Sequence, residues 1–152
     1  MRITPLLLAG GLAAAACGDG STEPADDLRV TTAVAPTSFR AGETVTVTVT
    51  VTNTGSVKRQ VALEPSCPYP FTVRTPAGAK VGPEGEYCTL VVRPPRTVPA
   101  GGSVAVTAQW RGGPNLVGGA LAPGEYVVRG VARAIDAEGE VQSEPVTVRI
   151  VP

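Results

Sequence analysis

Covalent chemistry in a protein begins with nucleophiles, bases and metal ligands, and this chain offers few of them. It has three cysteines, Cys17, Cys67 and Cys88, and no histidine. Without imidazole, the commonest general base and the commonest metal ligand are both missing. Ser38, Ser56, Ser66, Ser103 and Ser143 all stand beside turns or strand ends. A Ser–Lys pair would have to use Lys58 or Lys80, and both sit in turn-like surroundings. Asp136, Glu138 and Glu140 are the tightest acidic cluster, but they fall on a hairpin tip, a solvated place without a pocket for paired-carboxylate chemistry or calcium. Gly112-Gly113 and Gly118-Gly119 flank Asn115-Leu116-Val117 with no helix following, so no helical N-terminus is present to hold a phosphate. Two sulfurs without imidazole make a poor zinc site. No catalytic residue, metal or cofactor is therefore expected.

The cysteines take their meaning from their surroundings. The chain opens MRITPLLLAGGLAAAACGDG. Arg2 is a short basic start, and Ile3 to Ala16 is almost wholly apolar. That run is too short for a bilayer of ~30 Å, which needs about 20 residues. It has the length and the small-residue end of a secretory signal. Ala14-Ala15-Ala16-Cys17 resembles the lipobox read by the lipoprotein signal peptidase, with Ala14 where Leu is usual. The resemblance implies a signal peptide over 1–16, a thioether-linked diacylglycerol on Cys17, and a cell-envelope location facing away from the cytoplasm. A lipidated cysteine holds a soluble domain at a membrane surface. Gly18 to Asp27 is small, polar and acidic, and 17–27 reads as a lipidated residue followed by a flexible tether.

If Cys17 takes lipid, Cys67 and Cys88 remain, in a compartment where disulfides persist. Joining them closes a loop of about 22 residues, worth ~3 kcal/mol in the chain-entropy model. The alternative is two free thiols. Basic and acidic residues balance at 13 each. Nucleic-acid binding needs clustered Lys and Arg, so that partner class is not expected.

The elements that would position anything in 28–152 are strands. In ETVTVTVTVTN, valine and threonine alternate from Thr44 to Thr52. Val45, Val47, Val49 and Val51 therefore share one face, read as core, and the threonines share the other. Leu28, Val30, Thr32 and Val34 alternate until Pro36. Val57 to Leu63 predicts a short strand. Tyr69, Phe71 and Val73 share a face, as do Cys88, Leu90 and Val92. So do Val104, Val106, Ala108 and Trp110, and Val146, Val148 and Ile150. Tyr126 to Ile135 is a long strand with apolar residues on both sides, so its inward face stays open; Asp136 to Gly139 turns the chain towards the last strand. Roughly seven or eight short strands separated by Gly and Pro turns predict an all-β, antiparallel, two-sheet sandwich of immunoglobulin-like type. Trp110 follows both remaining cysteines instead of lying between them, so it is not a true immunoglobulin domain.

Over about 41–131 the residues resemble the BsuPI-type family of intracellular proteinase inhibitors. ETVTVTVTVTNTGSVKRQVAL resembles its opening strand, turn and short strand. Tyr69 to Arg74 with Pro76-Ala77-Gly78 resembles its next hairpin, and Val98 to Ser103 running to Trp110 its later strand. Leu121-Ala122-Pro123-Gly124-Glu125-Tyr126 resembles its Pro-Gly turn before a tyrosine. The motifs are structural: Pro-Gly sets a turn, and the ring fills core. They imply the sandwich and leave two functional expectations. One is a non-catalytic binding or structural module, held at the membrane through Cys17 and meeting an envelope protein. The other is a proteinase inhibitor that meets a protease through the disulfide-closed loop 68–87.

Overall fold

The computed structural model describes residues 25–63, 69–83, 94–114, 119–137 and 139–152. Among these residues every regular element is a strand, and eleven are present. They are β1 (Leu28–Ala35), β2 (Ser38–Arg40), β3 (Val45–Asn53), β4 (Arg59–Ala62), β5 (Phe71–Arg74), β6 (Lys80–Gly82), β7 (Arg96–Val98), β8 (Ser103–Trp110), β9 (Gly124–Ala134), β10 (Glu140–Gln142) and β11 (Val146–Val151).

They form two sheets. The smaller runs β1-β3-β8, antiparallel throughout. The larger holds the other eight strands and is organised around β9. One edge of β9 pairs β11 and then β10, and the other pairs β5 and then β4. β6 extends from β5, and β7 from β4. The pairings are antiparallel, except that β2 joins β11 in parallel. This exception follows from Pro36, which ends β1 in one sheet; the chain then crosses to the other sheet and runs alongside β11.

The core lies between the sheets and follows the alternation in the sequence. Val45, Val47, Val49 and Val51 are fully buried, while the intervening threonines are half-buried on the outer face. β-branched side chains favour such a pleated surface. Val106, Ala108 and Trp110 of β8 and Leu28, Val30 and Val34 of β1 are buried on the same side. On β9 the inward residues are Tyr126, Val128, Gly130, Ala132 and Ala134, so Val127, Arg129, Val131 and Arg133 point out. Few aromatic residues are available, and three of the described ones meet in the core. Phe39 and Phe71 of the larger sheet meet Trp110 of the smaller edge-on, with centroids 5.6 and 6.2 Å away. Each such pair adds about 1 kcal/mol beyond burial. The indole Nε1 donates to Gly113 O at 2.9 Å, so the ring is buried with no unpaired polar atom.

The strand count exceeds the expected one because several runs are interrupted. β4 and β5 share one edge of β9 and β10 and β11 share the other, each pair parted by residues that leave the ladder. The last hairpin therefore reaches β10 before β11. Between those two strands, Ser143 to Pro145 face only Arg129 and Gly130 of β9, which makes a β-bulge.

Candidate functional site

Among the described residues three polar clusters could hold chemistry, and each makes structural contacts. The first is at the bulge, where Ser143 is 2% exposed. The Gly130 N–H, left without a ladder carbonyl, donates to Thr32 Oγ1 at 2.8 Å and to Ser143 Oγ at 3.0 Å. Thr32 Oγ1 donates to Ser143 Oγ at 2.8 Å, and Ser143 Oγ donates to Glu144 O at 2.8 Å. Every hydroxyl proton has an acceptor, and none of these acceptors is a base that could activate Ser143. The cluster joins β1 of one sheet to β9 and the bulge of the other.

The second cluster surrounds Asn53, which is fully buried at the end of β3. Its Nδ2 donates to Val57 O at 2.7 Å and Val98 O at 3.2 Å, and its Oδ1 accepts from Gly55 N at 2.9 Å. The side chain thus forms an Asx turn and ties β3 to β7 across the sheets. Beside it, Arg59 Nε donates to Asp27 Oδ2 at 2.7 Å, and Asp27 O accepts from Thr54 N at 2.7 Å. This fastens the start of β1 to the entry of β4.

The third is the acidic hairpin tip. Asp136 Oδ2 accepts from Gln60 N at 3.0 Å, and Glu140 Oε1 accepts from Gln142 Nε2 at 2.9 Å. Both residues are exposed, so they make turn and edge contacts. Nearby, an open groove of about 410 Å³ separates Ala25, Asp26 and Leu28 from Gly139 to Gln142. Among the described residues no three His, Cys, Asp or Glu side chains converge as a metal site would require.

The remaining sequence candidates are placed as follows. Ser38, Ser56, Lys58 and Lys80 are exposed. Ser103 Oγ lies 2.8 Å from Thr52 Oγ1 on the outer face of the smaller sheet. Cys17, Cys67, Cys88, Ser66, Glu138, the Cys88–Leu90–Val92 strand, Asn115-Leu116-Val117 and Gly118 lie outside the described residues. Of the segment 68–87, residues 69–83 are described. There, Phe71 and Val73 are buried strand residues paired to β9, and Thr75 to Ala79 form a turn closed by Thr75 N to Ala79 O at 2.8 Å. Tyr69 packs edge-on to Phe71 at 5.4 Å, and burial pushes its phenol pKa above the ordinary value.

No family model matches the chain, and no curated protein does. Among solved structures, the chain is similar to the alkylpurine DNA glycosylase AlkC of Pseudomonas fluorescens, determined bound to DNA containing an abasic site analog. The identity is 11% and the TM-score 0.52, over 83% of this chain and 31% of that one. This chain thus spans about a third of the glycosylase, and at that identity the likeness concerns the fold. A structural-genomics target, SoR45, is similar at 13% identity and a TM-score of 0.46, over 82% of this chain and 88% of that one.

Proposed function

We propose that this chain is a membrane-anchored extracytoplasmic lipoprotein whose domain is a non-catalytic, immunoglobulin-like binding or structural module. The observation that carries the reading is Cys17, placed directly after a short apolar run and three alanines and followed by a small, polar, acidic stretch. A lipid there would present the strands that begin at Leu28 to the space outside the membrane.

The immunoglobulin-like reading draws support from two features. The chain contributes β1 to one sheet and β2 to the other. Tyr126, near the start of β9, donates its hydroxyl to Ala122 O at 2.8 Å, much as the tyrosine corner of such sandwiches ties a strand to the turn before it. The BsuPI-type likeness belongs to the same proposal, since its motif segments fall on β3 and β4, on β5 with its turn, on β8, and on the turn entering β9. A module is favoured over an inhibitor because β5 and β6, within the described part of 68–87, are anchored in the larger sheet, with the turn from Thr75 to Ala79 between them as the free part.

Expression of Cys17→Ser tests the anchor. The variant should leave the membrane fraction, and the wild-type mature N-terminus should carry the mass of a diacylglyceryl group. Unchanged membrane association with no lipid mass would sink the lipoprotein reading. Titration against serine and metallo-proteases separates the two modes of action. A module leaves every protease active, whereas saturable, stoichiometric loss of one activity would establish the inhibitor.

A further inference from the structure

The two outer faces of the sandwich differ in charge. On the smaller sheet the outward residues are Arg29, Thr31, Ala33 and Ala35 of β1, the threonines of β3, and Ser103, Ala105, Thr107 and Gln109 of β8. Arg29 is the single charge among them. The larger sheet instead points Arg133 and Arg129 outward from β9, Arg74 from β5, Lys80 from β6 and Arg149 from β11.

Cross-strand register shows which of these cations are balanced. Arg133 lies opposite Glu140, and Arg149 opposite Glu125. Arg74 lies opposite Lys80, and Arg129 lies opposite Thr72, diagonal to Arg74. Like charges directly opposite each other oppose sheet formation. The guanidinium contacts are to backbone: Arg74 Nη1 donates to Gly78 O at 2.8 Å and Arg129 Nη1 to Ser143 O at 3.1 Å. Among the described residues neither arginine, nor Lys80, has a carboxylate within 4 Å. Positive charge is therefore gathered here against the pairing preference of the sheet and, among the described residues, without a carboxylate in contact. Half-buried Val127 and Val131 flank Arg129 on the same face.

The tether supplies the geometry. Chain from Cys17 to Ala25 extends at most about 28 Å, so a lipidated Cys17 confines the domain to the immediate vicinity of the bilayer. β1 begins at the end of the sandwich where Asp27 contacts Arg59, the same end at which β9 pairs β4. The stripe of unbalanced cations, Arg129, Arg74 and Lys80, lies between that end, where Arg133 faces Glu140, and the other, where Arg149 faces Glu125. A domain held at one end can thus lie along its length with this stripe against the membrane. Confinement raises the effective concentration of headgroups, which lets individually weak contacts act together.

We infer that the outward face of the larger sheet, centred on Arg74, Lys80 and Arg129, rests on the anionic phosphate headgroups of the bilayer that holds the anchor. The threonine face of the smaller sheet is then turned to the surrounding medium. This inference rests on the lipoprotein reading, but its test does not.

The test uses the mature chain from residue 17 with Cys17→Ser, which carries no acyl group, and sedimentation with vesicles. It should bind vesicles containing phosphatidylglycerol, bind pure phosphatidylcholine vesicles far less, and dissociate as salt rises. Arg74→Gln with Lys80→Gln should weaken binding about tenfold or more, whereas Arg29→Gln should not. Both changed cations are surface groups, and an unaltered circular dichroism melt confirms that the variants fold. Equal binding to both vesicle types, no binding, or equal effects of the two sets of variants would overturn the inference. So would release by millimolar inorganic phosphate, which would indicate a discrete phosphate site. None of these outcomes bears on lipidation, which the mass of the mature N-terminus decides.

Discussion

Gly130 of β9 faces Thr32 of β1 and Val49 of β3 across the two sheets at close range. A Cβ built there would overlap Thr32 Oγ1 and lie 2.8 Å from Val49 Cγ1. Gly130→Ala must therefore push β1 and β3 away from β9 or break the hydroxyl cluster. The expected loss is about 2 kcal/mol, in the range for overpacked cores, read as a lower urea midpoint. Asn53 is sensitive for a different reason. Asn53→Ala leaves Val57 O, Val98 O and Gly55 N without their partner, and should cost about 3 kcal/mol in the same measurement. Asn53→Asp should be worse than alanine, because a carboxylate would face the two carbonyls that the amide nitrogen now serves. Equal midpoints for the two variants would mean that the side chain is not held as described. Tyr69 supplies a pH signature. Burial raises its folded pKa above the unfolded value of about 10. Its contribution is complete below that value and is lost as pH rises through the folded pKa. Stability should therefore fall above roughly pH 10, and Tyr69→Phe should flatten that part of the profile. None of these residues was marked for its role by the sequence alone. Thr32, Gly130 and Ser143 meet only through tertiary contacts, Thr32 and Ser143 being 111 positions apart. Glycines and serines in such a chain otherwise read as turn residues.

Strands were legible in proportion to their length. The nine residues of β3 carry four full periods of valine and threonine, enough to fix both its state and its buried face. β2, β6, β7 and β10 have three residues each, too few to show any period. The inward face of β9 was undecidable from pattern because its outward side also carries Val127 and Val131. It became clear only from the sheet it meets. Length and position should also order the dynamics. β3 is paired on both edges and lies over the core, so its amides should exchange by global opening. The amides of β6 and β10, at the margins of the larger sheet, should exchange by local fraying. Hydrogen exchange followed by mass spectrometry should show β3 protected longest and these short strands least. Comparable protection across all of them would mean that the sheet margins are stiffer than their pairing implies.

For the whole molecule, the open question is what holds a domain with so few aromatic residues. Its core is mostly valine and alanine, with one aromatic cluster at Phe39, Phe71 and Trp110. Small side chains bury less apolar area per residue than large ones, and stability scales with that area. Under the proposed export, Cys67 and Cys88 could supply the difference. They flank β5 and β6 in sequence, and β5 contributes Phe71 to the aromatic cluster. A bond between them would close about 22 residues and remove ~3 kcal/mol of unfolded-state entropy. It would act on the segment that carries Phe71, so its loss should loosen the aromatic cluster as well as lower global stability. Non-reducing peptide mapping of exported protein should recover the two cysteines in one linked fragment. Reduction, or Cys67→Ser with Cys88→Ser, should then lower the urea midpoint by the equivalent of about 3 kcal/mol and shift Trp110 fluorescence before the main transition. Identical midpoints with and without reductant, and both thiols free to alkylation, would leave the hydroxyl cluster, the Asn53 junction and the aromatic trio to hold the sheets together on their own.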